Sequence, residues 1–180
     1  MATTYERIRA AVHHASRRAQ WDSLTTLAQD IIDRKVAAFR RSAANDPKQV
    51  YVRLPTVRGV VIWARTFGLI EEDGNGQVRI TTKGERSLST DKDFALHIRA
   101  AAINYLDDVK LPFVDLKTVI DGIVLPEVPD AETLAERVAK RQPAPEISVA
   151  DLRAVLFMLG KCGALSRKIR VFYGSKPGQA

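Results

Sequence analysis

Val57–Gly84, VRGVVIWARTFGLIEEDGNGQVRITTKG, joins the signals of a helix, a turn and a β-hairpin without a spacer. Apolar side chains recur at helical spacing in its first half, and Gly68 predicts the left-handed residue that ends such a helix. The run DGNG at Asp73–Gly76 is turn-forming, and Val78–Ile80 alternates apolar and polar residues as a half-buried strand does. The stretch therefore predicts a helix followed at once by a hairpin.

The composition indicates a soluble protein with a basic surface. The chain has 180 residues, 46% of them hydrophobic, and a net charge of +7 that favours a polyanionic partner. Its single cysteine excludes an intramolecular disulfide. No apolar run reaches the roughly 18 residues of a membrane span, so we expect no membrane partner. We expect the protein to be cytoplasmic and, if it is prokaryotic, associated with the nucleoid.

The positive charge is concentrated in the first half. Residues 1–90 contain 15 Lys and Arg against 9 Asp and Glu, whereas residues 91–180 contain 13 against 12. We therefore expect the first half to carry more of any contact with a polyanion.

Apolar residues at helical spacing also occur before Val57, in the N-terminal part of the chain. This spacing predicts a helix at 5–19 and a second one, capped by Asp22 or Ser23, that continues or restarts through the basic segment DRKVAAFRRSAA. Residues 48–54 read as a short extended stretch, and Pro55 suits the first turn of the next helix.

Four segments of the first half recur in the same order in the second half. IRAAV from Ile8 matches IRAAA from Ile98, and LTTL from Leu24 matches LKTV from Leu116. VRGVVIWARTFGLI matches LRAVLFMLGKCGAL from Leu152, and VRI matches IRV at 169–171. This pattern predicts two related modules at 1–89 and 94–174, a polar linker at 89–93 and a flexible tail at 175–180.

The second module reads as four helices and a closing strand. The helices are predicted at 94–106, 114–124, 131–141 and 149–162, with Ser148 and Asp151 as a capping box, and the strand at 169–173. The predicted fold class is mainly α with small β-hairpins, an α+β protein.

The segments FGLIEE, DGNG, VRIT and TTKG resemble the end of a winged-helix domain, where a recognition helix is followed by its wing. The resemblance implies two tandem winged-helix domains whose third helices enter the major groove of duplex DNA, while the hairpins reach a neighbouring groove or the phosphates. The side chains that lie off the apolar stripe, or on the wings, are the candidates for nucleic-acid contact: Arg53, Thr56, Arg58, Arg65, Arg79 and Lys83, then Arg153, Lys161, Arg167, Lys168 and Arg170. Alternatively, these charges only solvate exposed faces.

Two features depart from the winged-helix pattern. The first wing has an acidic tip, Glu71–Asp73, which would repel phosphates. Ile62 and Trp63, like Phe157 and Met158 in the repeat, point away from the buried stripe of their helices. A partner protein, a second copy, the other module, or the long basic helix of the same module would then cover these four residues.

No catalytic or metal-binding constellation is present, and no cofactor is expected. His13, His14, His97 and Cys162 lack zinc-ligand spacing; we expect the histidine pair on a solvated flank and Cys162 as a buried thiol. Pro129 and Asp130 resemble the start of a nuclease motif, but no Glu-x-Lys partner follows, so Asp130 is interpreted as a helix cap.

The function favoured by these features is non-enzymatic binding of duplex DNA, with transcription regulation as the natural role. One alternative is a winged-helix adaptor that binds a protein partner or forms a homodimer through the apolar helix faces. Another is the recognition component of a restriction or defence system with a separate cleavage subunit.

Overall fold

The computed structural model describes residues 4–42, 54–123, 129–140 and 145–165. They form α1 (Thr4–Ala15), α2 (Leu24–Ser42), α3 (Leu54–Thr66), β1 (Ile70–Glu72), β2 (Val78–Ile80), α4 (Thr82–Ser87), α5 (Asp91–Asp108), α6 (Phe113–Asp121), α7 (Ala131–Ala139) and α8 (Val149–Lys161). The prediction of a mainly helical α+β protein is confirmed for these residues. The features that lie outside them are Arg53, most of the extended stretch at 48–54, the second wing with Arg167, Lys168 and Arg170, and the tail.

The chain divides into two compact units, Met1–Phe94 and Ala95–Ala180. The division falls inside α5, and residues 91–93 of the predicted polar linker form the start of this helix. Thr90 Oγ1 accepts the N–H of Asp93 at 3.0 Å, and its hydroxyl donates to the Asp93 carboxylate at 2.7 Å. This capping arrangement starts α5 three residues earlier than the apolar pattern indicates.

The first unit is built around α3, which packs against both α1 and α2. Its buried stripe contains Val57, Val60, Val61 and Ala64, as the helical spacing predicts. The buried side chains that face it from the other two helices are Ile8, Ala11, Val12, Ala15, Leu27, Ala28, Ile31 and Ile32. Ser23 caps α2 by accepting the N–H of Thr26 at 3.1 Å, which confirms one of the two predicted caps.

α3 turns into the hairpin through Gly68, which has φ 66°. The N–H of Leu69 donates to the carbonyl of Ala64 at 2.9 Å, the bond that closes a Schellman motif. β1 and β2 pair antiparallel, as predicted for a hairpin, and the register places Glu71 opposite Arg79. At its tip Asp73 Oδ1 accepts the N–H groups of Asn75 and Gln77, both at 2.9 Å.

Trp21 ties the hairpin to the loop between α1 and α2. Its backbone N–H and C=O both bond Val78, each at 2.8 Å. Its indole N–H donates to the carbonyl of Ala15 at 3.0 Å, and its side chain is buried. The position of the hairpin is therefore fixed by the end of α1 as well as by α3.

The short helix α4 follows the hairpin and was not anticipated. Thr81 caps it by accepting the N–H of Gly84 at 2.9 Å, and the Thr81 hydroxyl donates to the carbonyl of Gly68 at 2.7 Å. Gly84 itself is buried, because α4 crosses the hairpin closely at that point. The segment TTKG thus holds α4 against the hairpin instead of only closing the wing.

The second unit has a core of its own helices, with α7 against α6 and α8. The buried side chains of these three helices include Leu116, Val119, Ile120, Leu134, Val138, Leu152, Val155, Leu156 and Leu159. Ser148 caps α8 by accepting the N–H of Asp151 at 3.1 Å, which confirms the predicted N-cap, and its hydroxyl donates to the Asp151 carboxylate at 2.7 Å instead of completing a reciprocal capping box.

The proposed counterparts in the two units share one feature and differ in another. α8 ends as α3 does, with Gly163 at φ 69° and the N–H of Ala164 donating to the carbonyl of Leu159 at 2.9 Å. α2, however, runs 19 residues without a break, whereas its counterpart α6 ends after 9 residues, before α7 begins at Ala131.

Candidate nucleic-acid interface

The outer face of α3 carries exposed polar and cationic side chains. Thr56, Arg58, Arg65 and Thr66 are all exposed, and the segment LPTVRGVVIWART contains no acidic residue. Arg58 and Arg65 are two helical turns apart and therefore lie on the same side of α3. Three of the predicted contact residues, Thr56, Arg58 and Arg65, thus share a helix whose own charge is only positive.

The arginines next to the hairpin are paired with the acidic tip. Arg65, in the last turn of α3, forms an ion pair with Glu72, and Arg79 Nε lies 2.6 Å from Glu71 Oε1. All four side chains are partly exposed, between 30% and 63%. The carboxylates that were expected to repel phosphates are therefore bound to two of the cations that were expected to attract them.

Three of the predicted contact residues line one open cleft beside the hairpin. Arg65, Arg79 and Lys83 border a space of about 890 Å³, together with Glu71, Glu72 and Glu85. Three cations and three carboxylates balance there, so the cleft contributes little net attraction for a polyanion. Arg58 is exposed but does not line this cleft.

The second unit does not present its candidates in the same way. Arg153, the counterpart of Arg58, is only 30% exposed, and its Nη2 lies 3.7 Å from Glu132 Oε1 at the start of α7. Its Nε is buried and has no hydrogen-bond partner among the described residues. Lys161 is exposed, with Nζ 5.9 Å from the centroid of the Phe157 ring. Arg153 therefore faces a neighbouring helix, whereas Arg58 faces solvent.

The four apolar residues expected on outer helix faces differ in exposure. Ile62 is 45% exposed, which agrees with the prediction, and Trp63 is half-buried with its ring 5.2 Å from that of Phe67. Phe157 is half-buried, and Met158 is completely buried within the chain, so at Met158 the helix face is covered without a partner protein or a second copy. α8 buries a wider stripe than a strict helical pattern gives.

A partly buried polar cluster around His14 and Trp21, beside the hairpin, was missed by sequence reasoning. His14, expected on a solvated flank, is 7% exposed and hydrogen-bonds through Nε2 to Asp30 Oδ2 at 2.6 Å. Its ring centroid lies 5.5 Å from that of Trp21, with the two planes tilted by 32°, and the Arg18 guanidinium lies 4.4 Å from the Trp21 centroid. The only signal in the sequence is that His14 borders the apolar stripe of α1.

Burial and hydrogen bonding set the charge states in this cluster. Burial lowers the pKa of His14 below its usual value, although the hydrogen bond to Asp30 opposes that change. Burial alone would raise the pKa of Asp30, but hydrogen bonds from His14 and Arg34 lower it instead. A neutral imidazole therefore donates to an ionised carboxylate, and the pair joins α1 to α2.

The remaining titratable candidates have structural roles. Asp130 caps α7 by accepting the N–H of Thr133 at 2.8 Å, as predicted, and this hydrogen bond lowers its pKa. Cys162 is partly exposed, and burial of its thiol raises its pKa to about 11, which disfavours the reactive thiolate. No group of three or more His, Cys, Asp or Glu side chains could hold a metal ion within the described ranges.

Comparisons with family models, curated proteins and solved structures find no match for this chain. In the part of the chain that the structure describes, none of the helices has the length and apolar character to cross a membrane.

Proposed function

We propose that this chain is a non-enzymatic DNA-binding protein made of two winged-helix modules, and that the first module contacts duplex DNA through the outer face of α3. The fold of the first unit supports this proposal, because three helices lead directly into a hairpin through Gly68. A helix presented in this way has the length and diameter that the major groove accepts.

The observation that carries the proposal is the charge of α3. Arg58 is exposed to solvent on a helix without carboxylates, and Thr56 is exposed on another side of its first turns. An unpaired guanidinium of this kind contacts phosphate or guanine at no cost in broken ion pairs. Within the described residues, Arg58 is also in no ion pair, in contrast to Arg65 and Arg79.

Fluorescence anisotropy with a labelled duplex, titrated at several salt concentrations, tests this proposal. We expect binding that weakens as the salt concentration rises. Arg58→Glu should make the negative slope of log K against log salt shallower by roughly one unit. Lys92→Glu is the matched control, because it makes the same charge change at the exposed start of α5. The proposal fails if the parent does not bind at low salt, or if both variants weaken binding equally.

A second candidate function rests on Ile62, which is 45% exposed on the same face of α3. An apolar side chain at this position suits docking of a protein, including a second copy of the chain. Sedimentation of the parent beside Ile62→Ser tests self-association: a parent dimer that the substitution dissociates supports it. A parent that stays monomeric and binds duplex speaks for the DNA-binding function instead.

A further inference from the structure

Two glutamates of the hairpin form ion pairs with the two arginines beside it. Glu72 in β1 pairs with Arg65 from the last turn of α3, and Glu71 in the same strand pairs with Arg79, which lies directly opposite in the β1–β2 register. Two carboxylates from one short strand thus occupy two arginines from two different elements. All four side chains border the same open cleft.

These ion pairs are accessible enough to exchange partners. Arg65 and Arg79 are 44% and 63% exposed, and their carboxylate partners are 30% and 49% exposed. Exposed pairs contribute little to stability, because water and salt screen them. A guanidinium binds phosphate with the same forked geometry that it uses for a carboxylate. Each arginine can therefore leave its glutamate for a phosphate without disturbing the fold.

This exchange of partners nevertheless leaves an unfavourable charge in the cleft. Once an arginine turns to a phosphate, its glutamate stays within the cleft as an unneutralised negative charge close to the backbone of the nucleic acid. That charge repels the phosphates and cancels the attraction that the arginine supplies. The net number of counterions released on binding is smaller than the number of arginines in contact.

We infer that Glu71 and Glu72 are affinity-limiting residues that compete with the nucleic-acid phosphates for Arg79 and Arg65. This inference rests on the proposed DNA-binding function and deepens it. The hairpin then acts as a weak contact that adds little to the salt dependence of binding and forms only when α3 has already placed the duplex. It would favour a duplex over a short or isolated phosphate ligand, since a single phosphate does not replace both glutamates.

Separate Glu71→Gln and Glu72→Gln variants, titrated with the same labelled duplex, test the inference. Glutamine keeps the shape and a hydrogen-bonding oxygen, but removes the charge that competes with phosphate. Each variant should steepen the slope of log K against log salt by about 0.9, the release of one further counterion. If the parent and the variants have the same affinity for duplex at about 1 M salt, each variant should bind duplex roughly tenfold more tightly than the parent at about 0.05 M salt.

Glu85→Gln is the matched control, because Glu85 borders the same cleft but forms no ion pair with a described arginine or lysine. Its removal should raise affinity less and leave the slope close to that of the parent. Slopes for Glu71→Gln and Glu72→Gln equal to that of Glu85→Gln would overturn the inference while leaving DNA binding intact. If neither the parent nor any variant binds duplex, both the inference and the proposed function are wrong.

Discussion

Gly84→Ala should strongly destabilise the first unit, because no room exists for a methyl group where α4 crosses the hairpin. A Cβ at this position would lie 2.1 Å from the carbonyl oxygen of Leu69 and 2.8 Å from Cγ1 of Ile80. The oxygen belongs to the backbone, so a rotamer change does not relieve the overlap. Leu69 also accepts hydrogen bonds from the N–H of Thr81 at 3.0 Å and from its hydroxyl at 3.2 Å. Moving α4 away from the hairpin would lengthen both of these hydrogen bonds.

Overpacking costs about 1–3 kcal/mol, and each weakened hydrogen bond about 0.5–1.5 kcal/mol. Together they give a loss of about 3 kcal/mol in the free energy of unfolding. For a unit of this size, that lowers Tm by about 12–24 °C. The other large effect of glycine, freedom at positive φ, is not involved, because Gly84 does not have positive φ.

Tryptophan fluorescence during urea or thermal unfolding measures this effect, since both tryptophans, Trp21 and Trp63, lie in the first unit. Gly59→Ala is the control: a Cβ there has no atom within 4 Å, and alanine in a helix should stabilise by about 0.5–1 kcal/mol. If Gly84→Ala unfolds at the same temperature as the parent, α4 does not contact the hairpin as described.

Two further predictions concern titratable groups. The lowered pKa of His14 means that the unfolded state binds a proton first as pH falls below the usual value of 6.5. The free energy of unfolding should therefore level off above about pH 7 and decrease as pH falls from there to about 5, and His14→Gln should remove much of this dependence; a parent curve that is flat over this range contradicts the prediction. Cys162, whose pKa is raised to about 11, should react with iodoacetamide at pH 8 about a hundredfold more slowly than free cysteine, and at the ordinary rate in urea. Equal rates in folded and unfolded protein would show that the thiol is not shielded.

Signals carried by neighbouring residues were readable from the sequence. Gly68 follows an apolar stripe of helical period, and DGNG precedes an alternating strand, so the end of α3 and the hairpin were both predicted. The caps Asp130 and Ser148 were identified for the same reason, since each bonds a backbone N–H three residues on. Each of these features depends on a few consecutive side chains.

Features that depend on residues brought together by folding were not readable. His14 is buried because Asp30, 16 residues away on α2, satisfies its ring nitrogen, and no local pattern reports this partner. α4 spans six residues, too few to show a helical period. Met158 is buried although it lies off the stripe formed by Leu152, Val155 and Leu159, and a pattern that assumes one narrow buried face does not predict this.

The candidate interface was predicted in part. The residues of α3 follow from helical geometry alone, and the structure exposes them as expected. The pairing of Arg79 with Glu71 follows from the hairpin register, but Arg65 meets Glu72 only after Gly68 has turned the chain. Counting charges along the sequence therefore overstated the free positive charge at the hairpin.

Photocrosslinking from the outer face of α3 tests the central claim most directly. A benzophenone side chain substituted at Ile62, which is exposed at the centre of this face, is irradiated with labelled duplex DNA. Val114, which is 67% exposed on α6, is the control position. The account predicts a protein–DNA crosslink from position 62 that salt abolishes, and much less from position 114. A crosslink from position 62 to a second copy of the chain, with none to DNA, would contradict it.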